Sequence, residues 1–350
     1  MTETSDAIWP PVWPCAHGGP LTDGDYRRAP EDFFVEECLG FQPEGHGEHL
    51  WLWVEKRELT TLELARRLAR ACDVTPRQMG FSGMKDRVAV TRQWLSVHLP
   101  GREAPADLIG RLGDTPVRIL EQHRHPRKLK RGVHRANRFT LRLSGAIVDH
   151  PALEPHWQTL CERGVPNYFG PQRFGPDGRN LFRARDVLRR GWRKRDDREG
   201  MMLSSARSYL FNELLARRVA ENNWATPLAG DVLMLDGSAS QFVTQQHDET
   251  LVERALRLDL HPTGVLWGTG GSLAQHQAVR YEQQLGDKHA DLCKGLEGAG
   301  VRLARRALRV VLGAPTVSHD EDNLVLGFEL PRGAFATAVL RELIRHPTLI

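Results

Sequence analysis

Cysteine is scarce and scattered in this chain. Cys15, Cys38, Cys72, Cys161 and Cys293 lie far apart, and no CxxC pair occurs. An odd count without paired spacing argues against a disulfide framework or a zinc site, and fits a reducing cytoplasm. Long hydrophobic runs are missing as well. The longest, Val310-Val-Leu312 and Ala336 to Leu340 broken by Thr337, are far too short to span a bilayer. The start, MTETSDAIWPPVWPC, is acidic and proline-broken, unlike a secretory leader. There is no GxxxxGK[ST] phosphate loop and no HExxH. Gly298-Ala-Gly300 lacks a third glycine at dinucleotide spacing, and GTGG (Gly268–Gly271) follows no clear strand, so each reads as a turn. His123 and His125 have no Cys or carboxylate constellation beside them, and a phosphate-facing or exposed role fits better than metal binding. Chemistry here is therefore expected to need no cofactor and no metal.

What is present is a chain of 350 residues, enough for two domains or for one domain with a large insertion. Its net charge is only +4, but the cations cluster. One run covers Arg124-His-Pro-Arg-Lys-Leu-Lys-Arg131, with Lys128, Lys130 and Arg131 at its end, and continues through Arg138. A second spans Arg183 to Arg195, and a third holds Arg302, Arg305, Arg306 and Arg309. Each run alone could be a solvated face. Three in a nearly neutral chain point to a polyanion, most simply a nucleic acid.

Pattern divides the chain into unlike parts. Pro30–Glu37 (PEDFFVEE) reads as a turn leading into a strand, and His49–Lys56, Trp94–Leu99 and Arg138–Gly145 alternate as strands. Thr60-Thr-Leu-Glu63 has capping-box spacing and predicts a helix over Thr61–Cys72. Leu203–Glu221 predicts a second helix. Strand-like sequence returns near the C-terminus in RALRVVLG and NLVLGFEL, before a last helix over Gly333–His346. Without regular βαβ alternation, the ends indicate α+β, and the helical, arginine-rich middle from about Pro151 to Val301 reads as an inserted domain.

Phe81-Ser-Gly-Met-Lys-Asp-Arg87 places a carboxylate between two cations just after a glycine, at the mouth of a strand expected from about Val88. Flanking Lys85 and Arg87 favour an ionised Asp86. Two readings stand side by side on physical grounds: a surface ion pair, or a positioned carboxylate acting as nucleophile or base.

FSGMKDRVAVTRQW closely resembles the signature of the tRNA pseudouridine synthase D (TruD) family, GxKDxxAxTxQ, through Gly83, Lys85, Asp86, Ala89, Thr91 and Gln93. PEDFFVEE, GEHLWLWVEK, KLKRGVHRANRF, GVPNYFGPQRFG, LSSARSYLFNELLA and LPRGAFATAVLREL agree in order, so the resemblance covers nearly the whole chain. It is weakest from about Gln246 to Asp291. The resemblance implies a pseudouridine synthase fold, α+β with a mixed, largely antiparallel sheet and an inserted α/β (TRUD) domain. The implied division is a catalytic domain over 1–152 and 303–350, with the insert over 153–302. It also implies isomerisation of uridine 13 in the D-arm of tRNA, without cofactor or metal; the cysteine usage and short apolar runs noted above add the expectation of a cytoplasmic protein away from membranes.

Residue by residue, the resemblance puts the nucleophile at Asp86. The family's NxF element falls on Asn137, suited to reading a uracil edge, and Phe139, suited to stacking on the base. Phe33 and Phe335 fall where the family places further pocket phenylalanines, and Arg27 where it has a cation that could meet phosphate or Asp86. Read without the resemblance, Phe139 and Phe335 are core residues and Asn137 a turn residue. A uridine stacked in folded tRNA must be flipped out, which phosphate contacts from the basic runs would help to drive. The family often carries a glycine where Arg135-Ala136 precedes Asn137. The alternatives are the same chemistry on another RNA, or a catalytically silent RNA-binding or folding factor. A monomer is expected, since no heptad or obvious apolar patch advertises a partner.

Overall fold

The computed structural model describes residues 9–197 and 200–349. The acidic start through residue 8, where a leader would begin, lies outside the described residues. Among the described residues no helix is long and apolar enough to cross a membrane. The chain forms two compact units, one of Gly24–Val148 with Leu312–Gly333, the other of the chain up to Asp23, Asp149–Val311 and the chain from Ala334.

The first unit is built on an eight-stranded sheet. Its order is Gly313–Asp320, Asn323–Pro331, Ala136–Leu143, Phe33–Cys38, Val90–His98, His49–Arg57 and Val117–His125, with Met79–Phe81 paired onto Val90–His98. Phe33–Cys38 and Val90–His98 run parallel; every other neighbouring pair is antiparallel. This is the mixed, largely antiparallel sheet expected of the α+β class. Alternation sets the faces: Phe33, Val35 and Glu37 are buried on one strand, and Asn137, Phe139 and Leu141 on its neighbour.

Helix Thr61–Ala71 covers the sheet. Thr60 caps it, its hydroxyl accepting from the Glu63 amide at 3.2 Å while the Glu63 carboxylate accepts from the Thr60 amide at 3.0 Å. Leu64 and Leu68 then fall on one face and pack with Leu52, Val54, Leu95 and Val97. Each such fully buried leucine contributes about 1.5–3 kcal/mol.

The second unit centres on helix Met201–Ala220, whose Phe211, Leu214 and Leu215 are packed by Leu181, Leu188, Leu292 and Leu296. A four-stranded antiparallel sheet of Gln241–Val243, Val232–Leu235, Leu260–Leu266 and Ala304–Ala307 accompanies it. Arg218 meets Asp231 through two bonds of 2.9 and 3.0 Å, with both side chains almost fully buried.

Three expectations about the elements and basic runs of the second unit differ from the structure. GTGG does follow a strand, Leu260–Leu266, which Pro262 and Gly264 disguise in sequence. The turn is nonetheless a backbone crossing: a Cβ on Gly268 would lie 2.1 Å from the Val301 carbonyl oxygen. The third basic run is largely internal. Arg305 pairs with Glu282 at 2.7 Å, and Arg309 donates to His261 and to the Ala255 and Leu260 carbonyls. The last helix is short, Ala336–Leu343, because Ile344–Arg345 turns extended and pairs in parallel with Thr22–Asp23.

Candidate active site

The loop carrying Asp86 is held by its neighbours through side chains. At the start of helix Thr61–Ala71, the Thr61 hydroxyl accepts from the Lys85 amide at 2.9 Å and donates to the Gln93 carboxamide at 2.8 Å. Gln93 in turn donates to the Gly83 carbonyl at 3.3 Å, and the Lys56 ammonium donates to the Asp86 carbonyl at 3.1 Å. The backbone of Asp86 is thus fixed while its side chain remains 47% exposed.

The partners of that carboxylate are not those expected from sequence. Lys85 turns inward to Glu37, at 3.3 Å, and to the Asn137 carboxamide oxygen. Arg87 donates to the Glu58 carbonyl at 3.3 Å and approaches Glu63 at 3.7 Å. Asp86 therefore pairs with neither of its chain neighbours. Its cation is Arg27, with Nη2 3.3 Å from the carboxylate. The Arg27 guanidinium lies 4.0 Å from the centroid of the Phe33 ring, which meets Phe139 edge to face at 6.1 Å. Phe139 also stacks on Phe328 at 5.5 Å. Phe33 and Phe139 are only 4 and 6% exposed, so both are core residues of this unit.

Beneath the loop is a buried polar cluster that sequence reading missed. Glu37 lies at an inward position of its strand and accepts from the Trp94 amide at 3.1 Å. It lies 3.6 Å from His134, whose Nδ1 shares a hydrogen bond of 2.5 Å with the Ser82 hydroxyl. Burial pushes the Glu37 carboxyl up, against the pull of Lys85. Burial and then the Lys85 charge hold His134 down at about 4. Burial also lowers Lys56 to about 8, against the Asp86 charge. Gly83 fits here because a Cβ would come within 3.0 to 3.1 Å of Lys85, Glu37 and His134. A signal for Glu37 did exist: alternation in FFVEEC puts it on the face of Phe33 and Val35, an unusual place for a carboxylate.

The basic segment after Val117–His125 lies against this loop. Gly132 donates to the Ser82 carbonyl at 2.9 Å, and Leu129 to the Ser96 hydroxyl at 3.0 Å. Lys128 donates to the Arg77 carbonyl at 2.6 Å, Lys130 is exposed, and the Arg131 guanidinium is 5.4 Å from the Phe81 ring. His125 is neither exposed nor phosphate-facing; it is buried, 4.2 Å from the Trp51 ring.

Asp86, Arg27, Lys85, Asn137, Phe33 and Phe139 therefore all belong to the sheet unit. Phe335 does not. It precedes the last helix in the other unit, 5.7 Å from Phe169. The sheet-unit site offers an exposed carboxylate on a fixed backbone, a cation beside it, two aromatic rings, and an Asn137 amide oriented by a buried ammonium. Among the described residues no group of three or more His, Cys, Asp or Glu side chains could hold a metal.

A family model described as tRNA pseudouridine synthase D (TruD) matches residues 16–194 and 196–343. The chain is 62% identical over 350 residues to the tRNA pseudouridine synthase D of Chromohalobacter salexigens, covering 100% of both. It is 47% identical over 333 residues to that of Pseudomonas putida strain W619, covering 95% of this chain and 94% of the relative. A crystal structure from Methanosarcina mazei, carrying the tRNA pseudouridine synthase D name, superposes with a TM-score of 0.70 over 97% of each chain at 20% identity. That last likeness bears on the fold.

Proposed function

The chain belongs to the tRNA pseudouridine synthase D (TruD) family, and from that premise we propose that it isomerises uridine 13 in the D-arm of tRNA to pseudouridine, with Asp86 as nucleophile. The catalytic unit in this reading is the one built on the eight-stranded sheet. The reaction breaks the N1–C1′ bond and makes a C5–C1′ bond; a proton leaves C5 and one arrives at N1. It is redox-neutral, so a carboxylate and hydrogen-bonding groups are enough. Asp86 meets the flipped-out uridine at C6 or at C1′, or takes part through a glycal, and each route requires a fixed, solvent-facing carboxylate. The observation that carries the reading is that carboxylate: half-exposed, backbone-anchored by Lys56, and 3.3 Å from Arg27.

The other side chains take supporting roles. Asn137, its oxygen engaged by Lys85, turns its amide NH2 toward a uracil acceptor. Phe33 and Phe139 line the base pocket, and Arg27 orients Asp86 or neutralises a nearby phosphate. Lys128, Lys130 and Arg131 grip the RNA backbone without reading its sequence. The enzyme acts as a cytoplasmic monomer.

The test is pseudouridine mapping on an unmodified tRNA transcript, with wild type and with Asp86→Asn, in the absence of added metal or nucleotide. The expected result is one new pseudouridine, at position 13, with wild type only. A transcript bound but unchanged by wild type would overturn the proposal for tRNA.

A further inference from the structure

Exposed large apolar side chains are few in the sheet unit. Among the described residues they are Phe41, Met84, Val88, Ile109 and Val133. Three of them gather at the Asp86 loop. Met84 and Val88 stand two residues before and two after Asp86, 51% and 50% exposed. Val133 sits between Gly132 and His134, whose amides donate to the Ser82 carbonyl at 2.9 Å and to the Ser82 hydroxyl at 2.7 Å.

The loop that carries Met84 and Val88 is not slack. Its backbone is tied at Ser82, Gly83, Lys85 and Asp86, and the Ala89 amide donates to the Arg87 carbonyl at 3.0 Å. The charged residues beside Asp86 have protein partners, Lys85 in Glu37 and Arg87 in Glu63. Met84 and Val88 instead keep half of their surface in water. A single exposed apolar residue needs no explanation, but apolar surface on both sides of an exposed carboxylate suggests a contact. Two residues of chain span at most about 7 Å, so the Cα atoms of Met84 and Val88 lie no further than that from the Cα of Asp86. Successive bases along a strand are about 3.4 Å apart. An RNA that brings a nucleotide to the Asp86 carboxylate therefore comes within reach of both side chains.

Drawing a uridine out of its stack costs a few kcal/mol and leaves a gap one base deep. Proteins that part stacked bases commonly insert an apolar side chain, methionine among them. We propose that Met84 is this wedge. As the target uridine leaves the stack for Asp86, the thioether side chain enters the gap and packs on a base left behind, while Val88 forms an apolar rim beside it. Methionine suits the task because it is unbranched, flexible and polarisable, and its sulfur packs well on aromatic rings. Val88, branched at Cβ and short, is too stiff to follow a moving base. The wedge role rests on the function proposed above, because it presupposes a uridine flipped toward Asp86.

The test is single-turnover pseudouridine formation at saturating protein, on an intact tRNA transcript and on transcripts made abasic at each neighbour of the target uridine in turn. On the intact transcript Met84→Ala should slow conversion about tenfold, the cost of leaving a parted base step unfilled. Met84→Leu, similar in volume and still apolar, should stay within about twofold of wild type. Ile109→Ala, at an exposed apolar residue away from the loop, should match wild type. With one neighbour abasic the wedge has no base to pack on, so wild type and Met84→Ala should convert that transcript at the same rate. Equal rates for wild type and Met84→Ala on the intact transcript would overturn the proposal. A deficit in Met84→Ala that persists on both abasic transcripts would mark a general defect of the loop and refute the wedge. If wild type converts the uridine and Met84→Ala matches it, only the wedge falls. A wild type that forms no pseudouridine defeats the proposed function and the wedge together.

Discussion

Replacing Glu37 by glutamine removes one charge and almost no volume, so it isolates the electrostatic role of the cluster beneath the Asp86 loop. Lys85, whose side chain is 6% exposed, then keeps its ammonium among buried groups with no counter-charge at 3.3 Å. Breaking a buried ion pair from one side costs about 3–5 kcal/mol. The carboxamide introduced by Glu37→Gln can still accept from the Trp94 amide and from Lys85, so the lower end, about 3 kcal/mol, is expected. With a urea slope of about 2 kcal/mol per molar, the unfolding midpoint should fall by about 1.5 M. The double variant Glu37→Gln/Lys85→Met removes the stranded charge and should recover most of that loss, since an apolar replacement of both partners is often neutral. Turnover should stay low in the double variant even though stability recovers, because there Asn137 has lost the ammonium that orients it, while affinity for tRNA changes little. A single variant within about 0.5 kcal/mol of wild type, or a double variant no more stable than the single, would refute this account of the cluster.

Three further outcomes can be checked on the same protein. Asp231→Asn strands Arg218 in the core of the second unit and should cost about 3 kcal/mol in urea unfolding, with pseudouridine formation at low denaturant unchanged. His134 titrates near 4 when folded and near 6.5 when unfolded, so the unfolded state binds more protons between those values. Stability should therefore fall as pH drops from 6.5 to 4; Glu37, raised by burial, acts in the opposite sense, and His134→Gln should flatten the slope attributable to the imidazole. Lys128→Glu/Lys130→Glu should weaken tRNA binding and reduce its salt dependence, while single-turnover conversion at saturating protein stays close to wild type.

Local features were legible in sequence where local chemistry decides them. The Thr60/Glu63 capping box, the face of Leu64 and Leu68, and the alternation of Ala136–Leu143 all follow from spacing. Sheet order does not, because the parallel pairing of Phe33–Cys38 with Val90–His98 joins strands distant in the chain. The reaction class was readable from the GxKD block, yet the direction of its lysine was not. Lys85 turns inward because Glu37 and Asn137, each brought by a different strand, offer it acceptors there. Arg305 and Arg309 misled for a related reason: an arginine in a basic run looks like surface until its acceptors come from other segments.

The sheet also sets a timetable for synthesis. Ala136–Leu143 is flanked by Phe33–Cys38, made earlier, and by Asn323–Pro331, made about 180 residues later, during which the whole middle of the second unit emerges. At about 5–20 residues per second, one edge of that strand waits roughly 9–36 s for its partner. The waiting strand carries Phe139, Leu141 and Leu143 on one face and a full row of unpaired amides and carbonyls. Its outward residues, Arg138, Thr140 and Arg142, put two charges along the bare edge, and such charges discourage a second nascent chain from adding itself there. Arg138 and Arg142 then pair with Glu329 and Asp320 once the last strands arrive, so residues that protect the unfinished sheet go on to hold the finished one together.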